Sequence, residues 1–374
     1  MARSTWAVLA GTLVITLVVA ACSAPPPTPT AATKTDTTVG AAPPAAKPAA
    51  AIVWKGQNAY TPPTDYGPYQ SGVVSCPGSP IAFNNWLKKE TKGQLSIDLA
   101  AAGAVVPVAQ MFEAVSKGAL DWGGLYYGGF HTGVMPETDV EIGLPFAWES
   151  GEEAWDAYYN RGLLDEIQKI YAEQNIYFIP VFCNSTYSFG TTFPAPNLAA
   201  INGKKIRALG IYGDLVKQIG GSPVVVPGPE MYMALKLGTI DGAIYGLETL
   251  WPQKLYEVWK YYVTVPNLNS IVGSYLINLD KWKALPEENR RLIEDNGKYF
   301  LQGVTANNYT WELYWAAKAA KESPFQLTTW NAEDVAKIRK IGFGLWDQVA
   351  GKSARTGKLV DMVRKQMVEI GKIK

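Results

Sequence analysis

The sequence predicts an α/β protein of two lobes, each with a mostly parallel sheet flanked by helices, and with a cleft between the lobes. One observation is the alternation of strand and helix patterns in residues 203–246, which is typical of a parallel sheet. A second is an ungapped internal repeat, in which Val106–Asp121 matches Val226–Asp241 at an offset of 120 residues. The identical pairs are Val106/Val226, Pro107/Pro227, Met111/Met231, Ala114/Ala234, Gly118/Gly238 and Asp121/Asp241.

The second copy of the repeat lies within the alternating segment 203–246, whose first strand contains Arg207. Its predicted elements are strand Lys205–Ala208, helix Tyr212–Ile219, strand Pro223–Val226, helix Glu230–Leu237 and strand Ile240–Tyr245. Ligands of such sheets bind beyond the carboxyl ends of the strands, where Arg207 is expected. A guanidinium there is able to hold a carboxylate through two parallel charged hydrogen bonds.

The remaining elements complete the two lobes. The first unit is predicted as strand Ile52–Asn58, helix Pro80–Glu90, strand Leu95–Leu99, helix Val108–Lys117 and strand Leu120–Leu125. Residues 286–321 have a mostly helical pattern, long enough to lie along both lobes, with Gly297 and Gly303 as places where it could bend. The expected division is lobe I at 51–175 with about 265–295, lobe II at 176–264 with about 296–350, and a C-terminal helix at 351–374.

The N-terminus has the pattern of an export signal. Residues 1–21 carry one charge, Arg3, followed by an apolar run of 16 residues, which is shorter than a membrane span. The run ends in Val-Ala-Ala-Cys, which resembles a bacterial lipobox and predicts lipidation of Cys22; an ordinary signal peptide with a chance cysteine is the alternative. Residues 22–50 are then a lipid anchor and a tether rich in Ala, Pro and Thr. We therefore expect an exported protein, held at the membrane by its lipid alone and facing the periplasm or cell exterior.

Charge and composition argue against several functions. The chain has 34 basic and 33 acidic residues, and loss of Arg3 with the leader balances them. Because no basic run is present, nucleic acid is not an expected partner. Phosphate-binding glycine loops and the common catalytic motifs are also missing, so no cofactor is expected. Cys76 and Cys183 are interpreted as separate thiols, although export would permit a disulfide, and His131 is interpreted as structural.

Four sequence runs resemble one transport family. They are G-K-K-I-R at 203–207, D-L-V-K-Q-I-G-G at 214–221, V-P-x-P-E-M-Y-x-A-L-x-x-G-x-I-D-G at 226–242 and K-L-Y-E-V-W-K-Y at 254–261. They are similar to the DctP-like solute-binding proteins of TRAP (tripartite ATP-independent periplasmic) transporters, and a looser likeness extends over 53–349. The resemblance implies a periplasmic-binding-protein-like fold that binds without turnover. It also implies that Arg207 grips a substrate carboxylate, and that the partners are a small organic acid and the small and large integral-membrane subunits of a permease.

The other candidate site residues follow predicted strand ends. They are Tyr60, Tyr126, Tyr127, Asn184, Tyr187, Tyr245, Glu248 and Trp251. Their phenol and amide groups around one guanidinium suit a small organic acid with an apolar or aromatic body. Each also has an ordinary structural interpretation, because a chain with 13 Trp and 20 Tyr must use most of them for packing. Glu248 would repel a bound carboxylate unless something intervenes.

Two departures from the family limit the choice of substrate. Family members that bind 2-oxo or 2-hydroxy acids through a metal ion carry an acidic residue where this chain has Ile244, so no metal is expected here. Dicarboxylate binders often have Q-E-N-P where this chain has Ala243–Gly246. We therefore favour a monocarboxylate with a less polar remainder. The alternatives are an exported hydrolase built on paired carboxylates and a glycan-binding surface lipoprotein.

Overall fold

The first sheet forms around the N-terminal strand of lobe I. This computed structural model describes residues 50–60, 80–183, 185–306 and 308–374. Within these ranges the strands of the sheet are β1 Ile52–Asn58, β2 Leu95–Ala100, β3 Trp122–Tyr126, β4 Ile176–Phe182 and β10 Val272–Asn278. Their order is β2–β1–β3–β10–β4. β1 is parallel to both β2 and β3, whereas β10 is antiparallel to β3 and β4.

The second sheet contains the predicted unit around Arg207. Its described strands are β5 Tyr187–Thr191, β6 Lys205–Arg207, β7 Ser222–Val224, β8 Gly242–Gly246, β9 Tyr261–Val265 and β11 Gln326–Thr329. They lie in the order β11–β9–β5–β8–β6–β7. β6 is parallel to β7 and β8, as the alternation of strands and helices predicts. β5 is antiparallel to β8 and β9.

The predicted α/β architecture of two sheets flanked by helices is confirmed, but both sheets are mixed rather than mostly parallel. The reason is that the chain crosses between the sheets. It leaves the first at Phe182, enters the second at Tyr187, and returns between Val265 and Val272. The expected division at 175/176 therefore moves to 183–186, because Ile176–Phe182 pairs along its whole length with β10.

Helices cover the faces of both sheets. In lobe I they are α1 Pro80–Glu90, α2 Met111–Ser116, α3 Thr138–Glu141, α4 Gly151–Trp155, α5 Leu163–Ala172 and α8 Leu279–Lys283. In lobe II they are α6 Ile211–Gln218 and α7 Met231–Lys236. The sequence of α5 shows how they pack: Leu163, Ile167 and Ile170 recur at helical spacing, are buried, and place one apolar face against β4.

The predicted long helix is a helical run with interruptions. It comprises α9 Glu287–Arg291, a π-helical turn Leu292–Gly297, α10 Lys298–Ala306 and α11 Asn308–Glu322. The π turn ends at Gly297, one of the two expected bends. Trp86 of lobe I stacks on Phe300 with ring centroids 5.2 Å apart, and Trp251 of lobe II stacks on Trp315 at 5.6 Å. The run thus lies along both lobes.

Two C-terminal helices return the chain to lobe I. α12 Ala332–Ala350 packs on α6, and α13 Ala354–Glu369 packs on α3, α5 and α12. A capping box between Ser353 and Thr356 begins α13. The indole of Trp148 donates a hydrogen bond to Gln366 at 2.9 Å, which fixes α13 to lobe I.

The sequence repeat is also a structural repeat. In both lobes a 3-10 turn leads into a short helix, α2 or α7, which a glycine with left-handed backbone ends: Gly118 at φ 74° and Gly238 at φ 71°. Asp121 Oδ2 accepts the backbone N–H of Lys55 at 2.8 Å, and Asp241 Oδ2 accepts that of Lys205 at 2.8 Å. β1 and β6 are therefore equivalent strands.

Several N-terminal predictions concern residues outside the described ranges. They are the leader, Cys22, nearly all of the tether, and Cys76, so the lipid anchor and the state of the Cys76–Cys183 pair stay predictions. No helix among the described residues has the length and apolarity that a membrane crossing requires.

Candidate functional site

Arg207 lies at the carboxyl end of β6 and is almost completely buried, with 1% of its surface exposed. Its Nε donates to the carbonyl oxygen of Val226 at 2.9 Å, and one terminal nitrogen donates to that of Ile244 at 3.3 Å. The guanidinium carbon lies 5.0 Å from the centre of the Tyr245 ring, within the range of a cation–π interaction. The backbone and one aromatic ring thus hold the side chain in place.

The charge of Arg207 has no acidic partner in the described part of the chain. None of the ion pairs formed there includes this guanidinium. A buried cation without a counter-ion costs several kcal/mol of folding free energy. The arrangement therefore favours the arrival of an anion.

Gln57 is the residue of lobe I that is equivalent to Arg207, and the two side chains differ in how their hydrogen-bonding groups are used. Gln57 occupies the matching position of β1, pairing with Gly123 of β3 as Arg207 pairs with Ala243 of β8. Gln57 Nε2 donates to the carbonyl of Val106 at 2.9 Å, as Arg207 Nε does to Val226. Its Oε1 accepts the backbone N–H groups of residues 105 and 106. Both polar atoms of this amide are therefore hydrogen-bonded within lobe I, whereas two of the five N–H groups of the guanidinium donate to backbone carbonyls.

A cavity of about 380 Å³ opens beside Arg207. Six of the predicted site residues line it: Tyr60, Tyr127, Tyr187, Arg207, Tyr245 and Glu248. The other lining residues are Leu125, Leu209, Gly246, Thr249 and Ile271. The wall combines one cation, several phenols and an apolar patch, a mixture of polar anchors and apolar surface that is typical of small-ligand pockets.

The phenol groups of the cavity stay protonated at neutral pH. Burial raises the pKa of Tyr187 to about 12, although the neighbouring Arg207 lowers it in part. Burial also raises the pKa of Tyr127 and of Tyr245 well above the usual value. The rings of Tyr60 and Tyr127 meet edge to face with centroids 6.2 Å apart. These side chains are therefore hydrogen-bond donors beside the guanidinium.

Gly228 allows the cavity wall to close around the phenols. A Cβ at this position would lie 2.3 Å from Cε1 of Tyr60 and 2.6 Å from the hydroxyl of Tyr245. The lobe I equivalent, two residues after the matching valine of the repeat, is Val108, which is buried. The glycine of lobe II is thus needed for room rather than for backbone conformation.

Glu248 contributes a buried carboxyl group to the same wall. It lies in the 3-10 turn Leu247–Thr249 that follows β8 and is 8% exposed. Its Oε2 contacts the hydroxyl of Ser185, and its Oε1 lies 3.7 Å from the sulfur of Cys183. Burial, and to a lesser extent the nearby charge of Glu312, raise the pKa of Glu248 to about 7, although the hydrogen bond with Ser185 lowers it in part.

Three predicted site residues are not among those that line the cavity. Tyr126 points to the opposite face of β3, because side chains alternate along a strand, and its hydroxyl lies 3.4 Å from Nδ1 of His131. Trp251 instead stacks between Tyr256 at 4.2 Å and Trp315 at 5.6 Å, away from the cavity. Asn184 lies outside the described residues.

The same alternation gives a signal for two lining residues that the sequence reasoning missed. Leu125 lies two positions before Tyr127, and Leu209 lies two positions after Arg207. Ile271 comes from the segment that returns the chain to lobe I, and its local sequence gives no such signal. In the described part of the chain, no set of three His, Cys, Asp or Glu side chains is grouped closely enough to hold a metal ion.

His131 belongs to the core of lobe I rather than to the cavity. It is buried and stacked on Phe112 with ring centroids 4.0 Å apart. Its Nε2 lies 3.4 Å from the hydroxyl of Tyr171. Burial lowers the pKa of His131 to about 3, so the imidazole is neutral at physiological pH. The structural interpretation of this residue agrees with these contacts.

Known proteins are similar to this chain in sequence and in fold. Over 281 residues the chain is 28% identical to the monocarboxylate 2-oxoacid-binding periplasmic protein of Nostoc sp., covering 71% of this chain and 72% of that protein. A TRAP transporter solute-binding protein of Bordetella bronchiseptica, solved with calcium and picolinate, superposes with a TM-score of 0.76 at 19% identity and covers 86% of this chain and 93% of its own. A Colwellia psychrerythraea protein with bound calcium and pyruvate superposes with a TM-score of 0.74 at 17% identity, covering 86% of this chain and 95% of that one.

These structures share the two-lobed fold. The family model described as bacterial extracellular solute-binding protein, family 7 (DctP), matches residues 81–352. That range includes both lobes, Arg207 and most of the cavity wall. The resemblance noted from the four sequence runs is confirmed, and the chain belongs to this family of extracellular solute-binding proteins.

Proposed function

We propose that this protein captures a small monocarboxylate in the cavity beside Arg207 and delivers it to a TRAP-type permease. The single observation that carries the proposal is the buried guanidinium of Arg207, which is held by two backbone carbonyls and has no carboxylate partner in the described part of the chain. A bound carboxylate would supply the missing charge through short, charge-assisted hydrogen bonds. Tyr187 would add a neutral donor next to it.

The cavity wall favours one carboxylate rather than two. Arg207 is the one cationic side chain among the described lining residues, so a second carboxylate would be buried without compensation. Leu125, Leu209 and Ile271 offer an apolar surface to the rest of the ligand. The relatives support this class, since the Nostoc protein is named for monocarboxylate 2-oxoacids, and picolinate and pyruvate, the ligands of the Bordetella and Colwellia proteins, each carry one carboxylate.

A metal-assisted mode does not fit the donors of this site. Calcium and sodium ions take several oxygen ligands, usually with charged carboxylates among them. The described cavity wall offers one carboxylate, Glu248, and its oxygens already contact Ser185 and Cys183. Ile244 stands where metal-binding relatives carry an acid. We therefore derive binding from Arg207 and the phenols alone.

The proposed binding step couples the ligand to closure of the lobes. Tyr60 and Tyr127 come from lobe I, whereas Arg207, Tyr187 and Tyr245 come from lobe II. A ligand that contacts both groups stabilises the closed form, with the crossing segments 183–186 and 266–271 as hinges. The closed form then docks on the small and large permease subunits. The protein releases its ligand unchanged, and a lipid on Cys22 keeps it at the membrane.

Calorimetric titration of the purified full-length chain tests this proposal. Pyruvate, 2-oxobutanoate, butyrate and benzoate represent monocarboxylates, malonate and succinate represent dicarboxylates, and pyruvamide is the neutral control. We expect at least one monocarboxylate to bind more tightly than every dicarboxylate, and Arg207→Ala to abolish this binding while the fold is retained. Release of a chemically altered product would favour a hydrolase. Affinity for a neutral sugar that survives Arg207→Ala would favour a glycan-binding protein.

A further inference from the structure

Two buried glutamates meet at one serine hydroxyl beneath the cavity. Ser185 Oγ contacts Oε2 of Glu248 and lies 2.8 Å from Oε2 of Glu312. Glu312 is 2% exposed and comes from α11 of the long helical run, whereas Glu248 follows β8. Ser185 lies in the segment in which the chain first crosses from lobe I to lobe II. Three elements that are distant in the sequence therefore converge on this group.

Counting hydrogen atoms shows that this group must hold a proton. A serine hydroxyl has a single hydrogen, so it can donate to one carboxylate only. Glu312 also accepts the backbone N–H of Thr186 at 2.7 Å and its hydroxyl at 2.5 Å, which suits an ionised carboxylate. Ser185 then donates to Glu312. Its oxygen accepts the backbone N–H of Glu248 only at 3.4 Å, whereas Oε2 of Glu248 is in direct contact with it, and two oxygen atoms in direct contact need a proton between them. Glu248 provides this proton if its carboxyl group is neutral.

We infer that Glu248 is held as a neutral acid in the cavity wall, donating to Ser185 while Ser185 donates to ionised Glu312, and that ligand binding depends on this proton. The inference rests on the proposed function only in its second half, since the proton count does not require a ligand. A neutral Glu248 removes the repulsion that an ionised carboxylate would exert on an anion bound beside Arg207. Glu248 is thus a residue that makes the site selective for the anion.

The surroundings of Glu248 agree with a neutral acid. The ionisable groups that face it from the packed elements are Cys183, Tyr127, Tyr187, Tyr262 and Glu312, with Arg207 on the same cavity. Both Arg207 and Glu248 affect the pKa of Tyr187, and all three line the same cavity. Burial raises the pKa of Glu248 to about 7 and also raises that of Glu312. Since both acids are buried side by side, one proton between them is the favourable state.

The first experiment measures proton linkage. Pyruvate is titrated calorimetrically into the full-length chain between about pH 6 and 9, in buffers of different ionisation enthalpy. Pyruvate keeps its charge over this range, so a pH effect reports on the protein. We expect proton uptake on binding at pH 8 and an affinity that falls by up to about tenfold per pH unit above about 7. In Glu248→Gln, which stays neutral and can still donate to Ser185, the affinity should not change with pH.

Two further variants separate this inference from a general effect of buried acids. Glu312→Gln removes the neighbouring negative charge that raises the pKa of Glu248, so the affinity should begin to fall at a lower pH than in the unmodified chain. Glu141 is a matched control, because burial also raises its pKa, to about 8, but it lies in the core of lobe I. Glu141→Gln should leave the proton uptake intact. Pyruvate affinity that is independent of pH in the unmodified chain would overturn the linkage.

A second experiment does not depend on a ligand. The infrared spectrum of the ligand-free chain at about pH 6 should contain absorption of protonated carboxyl groups, and Glu248→Gln should remove the part that does not come from Glu141. If this absorption is the same in both proteins, Glu248 is ionised and the inference fails. If no monocarboxylate binds at any pH, the proposed function fails instead, and this absorption alone then decides the protonation of Glu248.

Discussion

The two lobes contain the same structural unit, but they differ at the strand end where we propose the anion site. Gln57 and Arg207 occupy equivalent strand ends, and each donates to the carbonyl of an equivalent valine at 2.9 Å. The amide of Gln57 is satisfied by its own lobe, whereas Arg207 retains an uncompensated charge. The backbone therefore provides a place where a side chain reaches the cleft, and the residue type decides whether that place binds a ligand.

The second difference between the lobes is space. Lobe I fills the position of Gly228 with Val108, which packs into its core. Lobe II leaves this space to the rings of Tyr60 and Tyr245. The unit of lobe I is thus filled at this position, whereas the unit of lobe II leaves room in the wall of the proposed site. The predictions that follow exchange these features between the lobes.

The largest effect is expected when the chemistry of lobe I is placed in lobe II. Arg207→Gln should keep the hydrogen bond to the Val226 carbonyl, as Gln57 does in lobe I, but it removes the charge. Because a buried charged pair is lost, we expect monocarboxylate affinity to fall at least about 100-fold. Calorimetry measures the loss, and thermal unfolding should show stability equal to or above that of the parent. Retained affinity in this variant would contradict the central assignment.

The reverse exchange should affect folding rather than binding. Gln57→Arg places a cation at the end of β1, where the side chain is fully buried. We expect the free energy of unfolding to fall by about 3 kcal/mol, measured in urea. Gln57→Met, which loses the hydrogen bonds without adding charge, is the control. If Gln57→Arg is no less stable than Gln57→Met, a buried cation is tolerated here and the argument from Arg207 is weakened.

A smaller effect is expected when the space of lobe II is filled. Gly228→Val copies the residue of lobe I and forces the rings of Tyr60 and Tyr245 apart. Overpacking of this kind costs about 1–3 kcal/mol, so ligand affinity should fall about tenfold or more. Val108→Ala is the matched control in lobe I and should lower stability without changing affinity. Unchanged affinity in Gly228→Val would show that the ligand lies elsewhere.

The smallest effect concerns the opposite pH responses of the two lobes. His131 follows β3, and burial lowers its pKa to about 3, so the unfolded chain binds a proton that the folded chain excludes. The free energy of unfolding should therefore fall as the pH drops below about 6.5, by about 1 kcal/mol per pH unit. His131→Phe, measured in urea at about pH 7 and 5, should reduce this slope.

Glu248 follows β8 and should give the opposite slope. Its pKa is raised to about 7, so the folded chain retains a proton that the unfolded chain loses, and stability should fall as the pH rises from about 4.5 to 7. Glu248→Gln should reduce that slope. Equal slopes in the parent and both variants would mean that neither buried group titrates as described.

Local sequence patterns predicted the units of the fold well. β1 and α1 have the predicted limits, Ile52–Asn58 and Pro80–Glu90, and the unit around Arg207 has the predicted order of elements. The reason is that strand alternation, helical spacing and glycine stops are properties of neighbouring residues. Side-chain direction follows the same local rule, so Leu125 and Tyr127 could have been chosen over Tyr126 from the alternation alone.

The points at which the chain crosses between the two sheets could not be predicted from neighbouring residues. The expected division puts Ile176–Phe182 in lobe II, yet this strand pairs with β10, nearly one hundred residues later in the chain. The same holds for Glu312, whose helical sequence gives no sign that its carboxyl group meets Ser185. Contacts between residues so far apart in the sequence depend on how the lobes pack.

The sequence by itself determined the family, the repeated α/β unit and the arginine at a strand end, because the signals for all three lie in short runs of neighbouring residues. Tertiary structure alone decided that Gln57 is the counterpart of Arg207, that Gly228 leaves room for two phenols, and that Glu248 and Glu312 share one serine. The physical reason is distance along the chain. Burial and charge act between atoms that folding brings together, and their consequences for binding and protonation appear only once those atoms are in contact.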